Sequence, residues 1–311
     1  MLIPPFQNAL VLTGPTGSGK SELGLDLAIG LGAEVISMDS MALYRGMDIG
    51  TAKPTPEQRQ RVRHHLIDVL QPWESASVAW WLARAAECCR EIEQRGRRAL
   101  FVGGTPLYLK ALLHGLFDGP PANPALRARL AAEADQHGPG ALHQRLADVD
   151  PASASRLHPN DIRRVVRALE VWEATRLPLS AWQTQWSKGA AATPPEAESK
   201  PQILWLDSPR QDLYARIDGR VDAMFAAGLL EEVRALRALP NPLSREAAQA
   251  LGYKEVLAHL DGRATLEATI SEIKTRTRNF AKRQITWFRH LPGCRPATKE
   301  LTEAFGKPTI R

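Results

Sequence analysis

Short apolar runs, bounded by glycine or polar residues, recur through the first third of the chain. Ala9–Thr13 (ALVLT), Glu34–Ser37 and Ala99–Val102 read as buried strands of a parallel sheet. Between them the spacing becomes helical. A helix is expected from about Ser21 to Leu31, and another over Ser75–Arg95, opened by serines and closed by Gly96. Pro106 suits the first turn of the next one. From 118 to 200 strand-like runs vanish, and Ala, Arg and Leu at helical spacing take over. Pro120-Pro121 and a Pro-, Glu- and Ala-rich stretch at 193–201 bracket this region as linkers would. The β signal returns at Ile203–Leu206 (ILWL), and Leu213, Ile217, Val221, Met224 and Phe225 then mark a long amphipathic helix. The pattern predicts an α/β core, 1–117 with 201–311, carrying a helical insertion at 118–200. No internal repeats interrupt it.

Composition narrows the setting more than the chemistry. With 44% hydrophobic and 24% charged residues, the chain reads as a globular protein. No apolar run approaches the ~18 residues of a membrane span, and no secretory signal opens it. Of three cysteines, Cys88 and Cys89 are adjacent, which fits neither a disulfide framework nor metal-ligand spacing. A cytoplasmic location follows as an expectation, and the lack of a heptad pattern points to a monomer. The net charge of +6 is localised: 273–299 holds eight Lys or Arg and no Asp or Glu. Such a segment fits a polyanion partner, or else a solvated helix face.

The first chemical motif is Gly14-Pro15-Thr16-Gly17-Ser18-Gly19-Lys20-Ser21. It satisfies G-x-x-x-x-G-K-[ST], with a strand expected before it and a helix after it. Glycines let backbone N–H groups converge on phosphate oxygens at the positive end of the following helix. Lys20 would pair with the terminal phosphates, and the Ser21 hydroxyl would join the shell of a Mg²⁺ ion. The chain thus reads as a P-loop NTPase-like fold. An NTP hydrolase usually adds a strand ending in a metal-binding Asp. Asp207, before Ser208-Pro209, reads rather as a turn or capping residue.

Asp39 follows the second strand and Thr105 the third, and ligands of open α/β sheets sit outside these carboxyl ends. A carboxylate there can bind metal or take a proton from a nucleophile, or merely cap a turn. Arg216 and Arg220 lie one turn apart on the amphipathic helix, and either would reach a phosphate if that helix covers the site. Ile162, Val165, Leu169 and Trp172 leave Arg163, Arg164 and Arg167 on the opposite face of their helix. Near the C-terminus Ile273, Thr277, Phe280, Trp287 and Leu291 form an expected packed stripe, with Lys274, Arg278 and Lys282 on another face. Clustered cations of this kind suit nucleic-acid phosphates.

At this point the residues resemble one family. GPTGSGKS (14–21), VISMDSMALYRGMDIGTAKP (35–54), HHLIDV (64–69), FVGGTPLYLKALL (101–113), HPNDIRRVVRALE (158–170), RIDGRVDAMFAAGLLEEV (216–233), ALGYKE (250–255) and TRNFAKRQITWFR (277–289) together resemble the bacterial tRNA dimethylallyltransferases. The resemblance implies that the P-loop holds dimethylallyl diphosphate, with Mg²⁺ at Ser21. It implies that the N6 amine of an adenine 3′ of the anticodon attacks the allylic carbon. Asp39 would be the general base, and Thr105 and Arg220 would stabilise the departing diphosphate. The adenine would be flipped out of its stack.

The resemblance also implies which residues meet the tRNA anticodon stem-loop. These are Asp39, Ser40, Met41 and Ala42, with Thr105; Arg163, Arg164, Val165, Val166 and Arg167; and Arg127. Gln249, Ala250, Leu251, Gly252, Tyr253 and Lys254 follow. The last group is Lys282, Arg283, Gln284, Ile285, Thr286, Trp287, Phe288 and Arg289. Two departures stand out. Gly17 occupies a position where alanine is common in the family, with an expected cost in loop rigidity, and Pro106 replaces a glycine or methionine. A C-terminal Cys/His zinc finger is not expected from three cysteines. An adenylate isopentenyltransferase would share the core and act on free AMP, ADP or ATP, without needing the basic helices. A small-molecule kinase would use the same loops on ATP. A non-catalytic nucleic-acid-binding protein would leave Asp39 and Thr105 unexplained.

Overall fold

The computed structural model describes residues 2–117, 119–183, 202–291 and 293–297. Met1–Leu113 with Ala192–Arg311 forms one compact unit, and His114–Ala191 a second. The linker read at 193–201 lies outside the described residues.

The larger unit opens as β1 (Leu10–Thr13), α1 (Lys20–Leu31), β2 (Glu34–Ser37), α2 (Pro56–Arg61), β3 (His64–His65), α3 (Val78–Gln94), β4 (Ala99–Gly103) and α4 (Pro106–His114). The smaller unit is all helical: α5 (Pro124–His137), α6 (Pro139–Val149), α7 (Pro151–Ala154), α8 (Ile162–Thr175) and α9 (Leu179–Trp182). The larger unit resumes with β5 (Ile203–Trp205), α10 (Arg210–Ala226), α11 (Leu229–Arg237), α12 (Arg245–Ala248), α13 (Tyr253–Leu260), α14 (Leu266–Arg289) and β6 (Arg295–Pro296).

The strands form one parallel sheet in the order β3-β2-β4-β1-β5-β6. Its inner strands are apolar because both faces are covered. Alternate residues serve opposite faces: Leu10, Leu12, Val35, Leu100 and Leu204 pack with Leu25 and Ala28 of α1. Val11, Ile36, Phe101, Ile203 and Trp205 face a larger core holding Trp81 of α3 and Phe288 of α14. The order has one consequence for the site. β4 lies between β1 and β2, so the loops leaving all three strands stand side by side.

Local sequence explains the ends of these elements. Ser77 caps α3 by accepting the Trp80 N–H, and Thr265 caps α14 through Ala268. Gly32 ends α1 in the left-handed region, where its N–H reaches back to the carbonyls of Ala28 and Ile29. Asp207 sits in the turn after β5, its Oδ1 accepting the Ser208 N–H at 3.1 Å, the turn role read from the sequence. Cys89 is buried within α3.

The helical unit has a separate core built on Leu130, Leu142, Leu146, Val165, Leu169 and their neighbours. Its most buried charge is Glu170, on α8. Arg127 meets this carboxylate with two bonds of 2.9 Å, Arg167 adds one of 2.5 Å, and the Asn123 N–H one of 2.7 Å. Burial disfavours the Glu170 carboxylate, but those donors overcome it and hold the pKa below the usual carboxylate range.

Candidate active site

The loops after β1, β2 and β4 open into a cavity of about 1700 Å³ within the larger unit. Thr16, Lys20, Ser21, Asp39, Thr105 and Arg220 all line it. Lys20 begins α1, so the N–H groups of its first turn point into the mouth of the loop. Its ammonium rests 3.2 Å from the Pro15 carbonyl. Arg220 crosses from α10 and donates to Thr16 Oγ1 at 3.3 Å. At the P-loop end of the cavity the cations Lys20 and Arg220 thus share space with the Asp39 carboxylate. Burial strips water from Lys20 and brings its pKa down to about 8; Asp39 opposes the shift and Arg220 adds to it. Burial likewise lowers the pKa of Arg220, again opposed by Asp39. A desolvated pair of this kind is short of negative charge.

Asp39 and Thr105 are held by reciprocal backbone contacts. The Met41 N–H donates to Asp39 Oδ1 at 2.9 Å, the Ser40 N–H to Thr105 Oγ1 at 3.2 Å, and the Thr105 N–H to the Met38 carbonyl at 3.2 Å. Because Thr105 Oγ1 accepts from the backbone, its hydroxyl proton is left to donate into the cavity. The β2 and β4 loops approach so closely that a Cβ on Gly103 would stand 2.3 Å from the Met38 carbonyl. Beneath them Trp81 donates to the Ser37 carbonyl at 3.2 Å and stacks on Tyr108, ring centroids 4.0 Å apart.

Glycine at position 17 is structural. It adopts φ of +79°, and a Cβ there would meet Ile217 Cγ1 at 2.9 Å. From sequence alone this glycine is expected only to cost the loop some rigidity; in the structure its absent side chain lets α10 lie against the loop. Pro106 is simply the first residue of α4.

A cation fits only with help from its ligand. Among the described residues no group of three His, Cys, Asp or Glu side chains could hold a metal ion. Ser21 lines the cavity and is exposed. A small divalent ion that keeps most of its waters suits so sparse a protein contribution.

The comparisons with known proteins agree with this geometry. The family model described as IPP transferase matches residues 42–291, and that described as isopentenyl transferase matches 7–71. The chain belongs to the IPP transferase family. A tRNA dimethylallyltransferase of Symbiobacterium thermophilum is 52% identical over 90% of this chain and 86% of its own length. One from Trichlorobacter lovleyi is 48% identical over 91% of both. Among solved structures, the tRNA isopentenylpyrophosphate transferase of Bacillus halodurans is 39% identical with a TM-score of 0.66, covering 96% of this chain and 94% of that one. A eukaryotic dimethylallyltransferase captured acting on tRNA is 30% identical with a TM-score of 0.70, covering 90% and 69%. The parallel sheet, the P-loop and the helical unit are therefore those of an IPP transferase.

Within this family frame, the residues expected at RNA divide by exposure. Ser40, Met41 and Leu251 are half-buried and line the cavity, while Gln249 and Lys254 are exposed beside it. Ala42, Ala250, Gly252 and Tyr253 are buried. The Tyr253 hydroxyl donates to Glu232 at 2.6 Å, and that carboxylate also accepts the N–H groups of Asp48 and Ile49. On α8, Arg163 and Arg164 are exposed, the latter 3.2 Å from Asp161. Val165 and Val166 point into the helical core, which removes them as side-chain contacts to RNA. Arg127 and Arg167 are already committed to Glu170.

The last helix shows the largest revision. Lys282, Arg283, Thr286 and Arg289 are exposed on α14, with Ile285 half-buried. Phe288 is fully buried and Gln284 is 3% exposed, whereas Trp287, expected in the packed stripe, is 41% exposed. Ile273 and Leu291 are buried as the stripe predicts, while Ala281 and Phe288 take the place of Trp287 in the packing. Lys274 and Arg278 are not a free basic face, since they pair with Asp222 and Asp218 of α10 at 2.6 Å. Arg276 joins Glu272 and Glu255, and Arg289 lies 3.4 Å from Asp207. Glu232, Lys53 and Gln284 were not singled out as structural by the sequence. Lys53 is buried between Asp48 and Asp68 beneath the loop that Glu232 braces. Only their position in recurrent family blocks hinted at them.

Proposed function

We propose that this IPP transferase moves a dimethylallyl group from dimethylallyl diphosphate to the N6 amine of an adenine in tRNA, 3′ of the anticodon. The observation that carries the proposal is the cavity where a desolvated Lys20 and Arg220 face Asp39 and Thr105. The two cations and the P-loop N–H groups form a site for a diphosphate. Asp39, turned toward the same cavity by Met41, is placed to orient the amine and accept its proton as the new N–C bond forms. Thr105 and Arg220 would donate to the diphosphate oxygens, where charge grows as the C–O bond breaks. A divalent cation, most simply Mg²⁺ beside Ser21, would add further neutralisation of that charge. Because the amine must reach Asp39 inside the cavity, the adenine is extruded from its stack.

RNA contact is assigned to the exposed cations Lys282 and Arg283 and to Gln249 and Lys254 at the cavity rim, with Arg163 and Arg164 on the helical unit. The protein is proposed to work in the cytoplasm as a monomer. The kinase reading keeps the P-loop but leaves the basic rim without use. Incubation with unmodified tRNA, dimethylallyl diphosphate and Mg²⁺, followed by nuclease digestion and mass spectrometry, tests the reaction. N6-dimethylallyladenosine at the position 3′ of the anticodon is expected. ATP turnover with no prenylated nucleoside would replace this reading with phosphoryl transfer.

A further inference from the structure

The structure assigns Gln284 as a positioning residue for the transfer, one that joins the P-loop to the loop after β4. This assignment rests on the reaction proposed above. Gln284 Oε1 accepts the Thr16 N–H at 2.9 Å, and its Nε2 donates to the Gly104 carbonyl at 2.5 Å. The two loops leave neighbouring strands, and the amide fills the space between them. That space exists only because residue 104 is glycine: a Cβ there would stand 2.7 Å from Gln284 Nε2 and 2.9 Å from the Gly14 carbonyl.

The chemistry selects an amide. The junction offers one donor and one acceptor at a fixed separation, beside a site meant for a polyanion. A primary amide satisfies both without charge, whereas a carboxylate would face the Gly104 carbonyl and a cation would leave the Thr16 N–H unmet. The effect passes on through Thr16, whose hydroxyl accepts from Arg220. Gln284 therefore fixes the residue that aims Arg220, while touching no reacting atom itself.

Its helix does not depend on it for anchorage. α14 is pinned to α10 by Lys274 with Asp222 and Arg278 with Asp218, and it is seated by buried Ala281 and Phe288. Removing the amide should thus disturb the cradle and leave the helix, with its exposed Lys282 and Arg283, in place.

Gln284→Met keeps the side-chain length and removes both bonds. The prenyl-transfer kcat is expected to fall at least 30-fold, with tRNA affinity at fixed salt within twofold of the parent. In an Arg220→Ala background the same change should cost less than threefold, because the residue it positions is already gone. If Gln284→Met melts too low to assay, Gln284→Glu serves as the second variant, read by calorimetric binding of inorganic diphosphate. A loss of at least tenfold in diphosphate affinity, with tRNA affinity unchanged, is expected. Losses that multiply in the double variant, or weaker tRNA binding with kcat intact, would overturn the assignment. If the parent protein prenylates tRNA while both Gln284 variants behave like it, this inference falls alone. If the parent transfers no prenyl group, the proposed reaction has failed instead.

Discussion

Asp39 owes its place to the turn that follows β2, where the Met41 N–H holds one of its oxygens. Substitution by alanine should lower turnover by roughly 10²–10⁴-fold, the usual worth of a positioned base. Filter-binding affinity for tRNA should stay near that of the parent. A loss of folding cooperativity instead would mark Asp39 as a structural cap. Lys20 gives a pH signature. Its pKa near 8 should rise when a diphosphate binds, so binding takes up a proton around pH 8. Diphosphate affinity is then expected to fall by up to about tenfold per pH unit above 8. An affinity that stays level to pH 9.5 would contradict a desolvated lysine in the cradle. Gly103 is constrained by backbone rather than by a side chain that could move aside. Gly103→Ala would drive a Cβ into the Met38 backbone, and a destabilisation of about 2 kcal/mol or more is expected from chemical denaturation.

At the scale of elements, α14 combines two tasks on two faces. The basic run in its sequence suggests one continuous cationic surface, but the carboxylates that neutralise Lys274 and Arg278 come from α10, far away in the chain. No local pattern could reveal that pairing. Near its end the packed face takes Phe288 rather than the expected Trp287, since the two are adjacent and equally apolar in sequence. The exposed pair Lys282 and Arg283 remains for phosphate. Neutralising both should flatten the dependence of log K on log salt by about 0.7 per lost contact on single-stranded RNA. An unaltered slope would move the RNA surface elsewhere. At the amino end of β2, away from the loops of the site, Glu34 is buried against Arg95 and His65. Burial works to raise its pKa, but those hydrogen bonds win and hold it at about 2. A depressed carboxyl stabilises the fold above its ordinary pKa of 4.5 and ceases to do so as pH falls through 2. Glu34→Gln should therefore be less stable than the parent at neutral pH, with the gap in unfolding midpoint narrowing below about pH 4.5 and closing near pH 2.

At the scale of the whole molecule, the central sheet was legible because its inner strands are buried on both faces and so read as apolar runs. The edge strands, His64–His65 and Arg295–Pro296, are two residues each and carry no such signal. The P-loop, Asp39 and Thr105 were legible because each ends a readable strand, and the sheet order then sets their loops beside one another. The family resemblance supplied their expected roles; periodicity did not. What remained hidden were contacts between distant segments: Gln284 with Thr16, Glu232 with the 48–50 backbone, and Arg220 with the P-loop. The central claim is that this cavity treats its bound diphosphate as a leaving group and an RNA adenine as the acceptor. It is tested most directly by supplying dimethylallyl diphosphate labelled in the prenyl group, with unmodified tRNA in one reaction and AMP in another. The account predicts label in tRNA, with diphosphate released in equal amount and none of the label in AMP. Label in AMP and never in tRNA would contradict it.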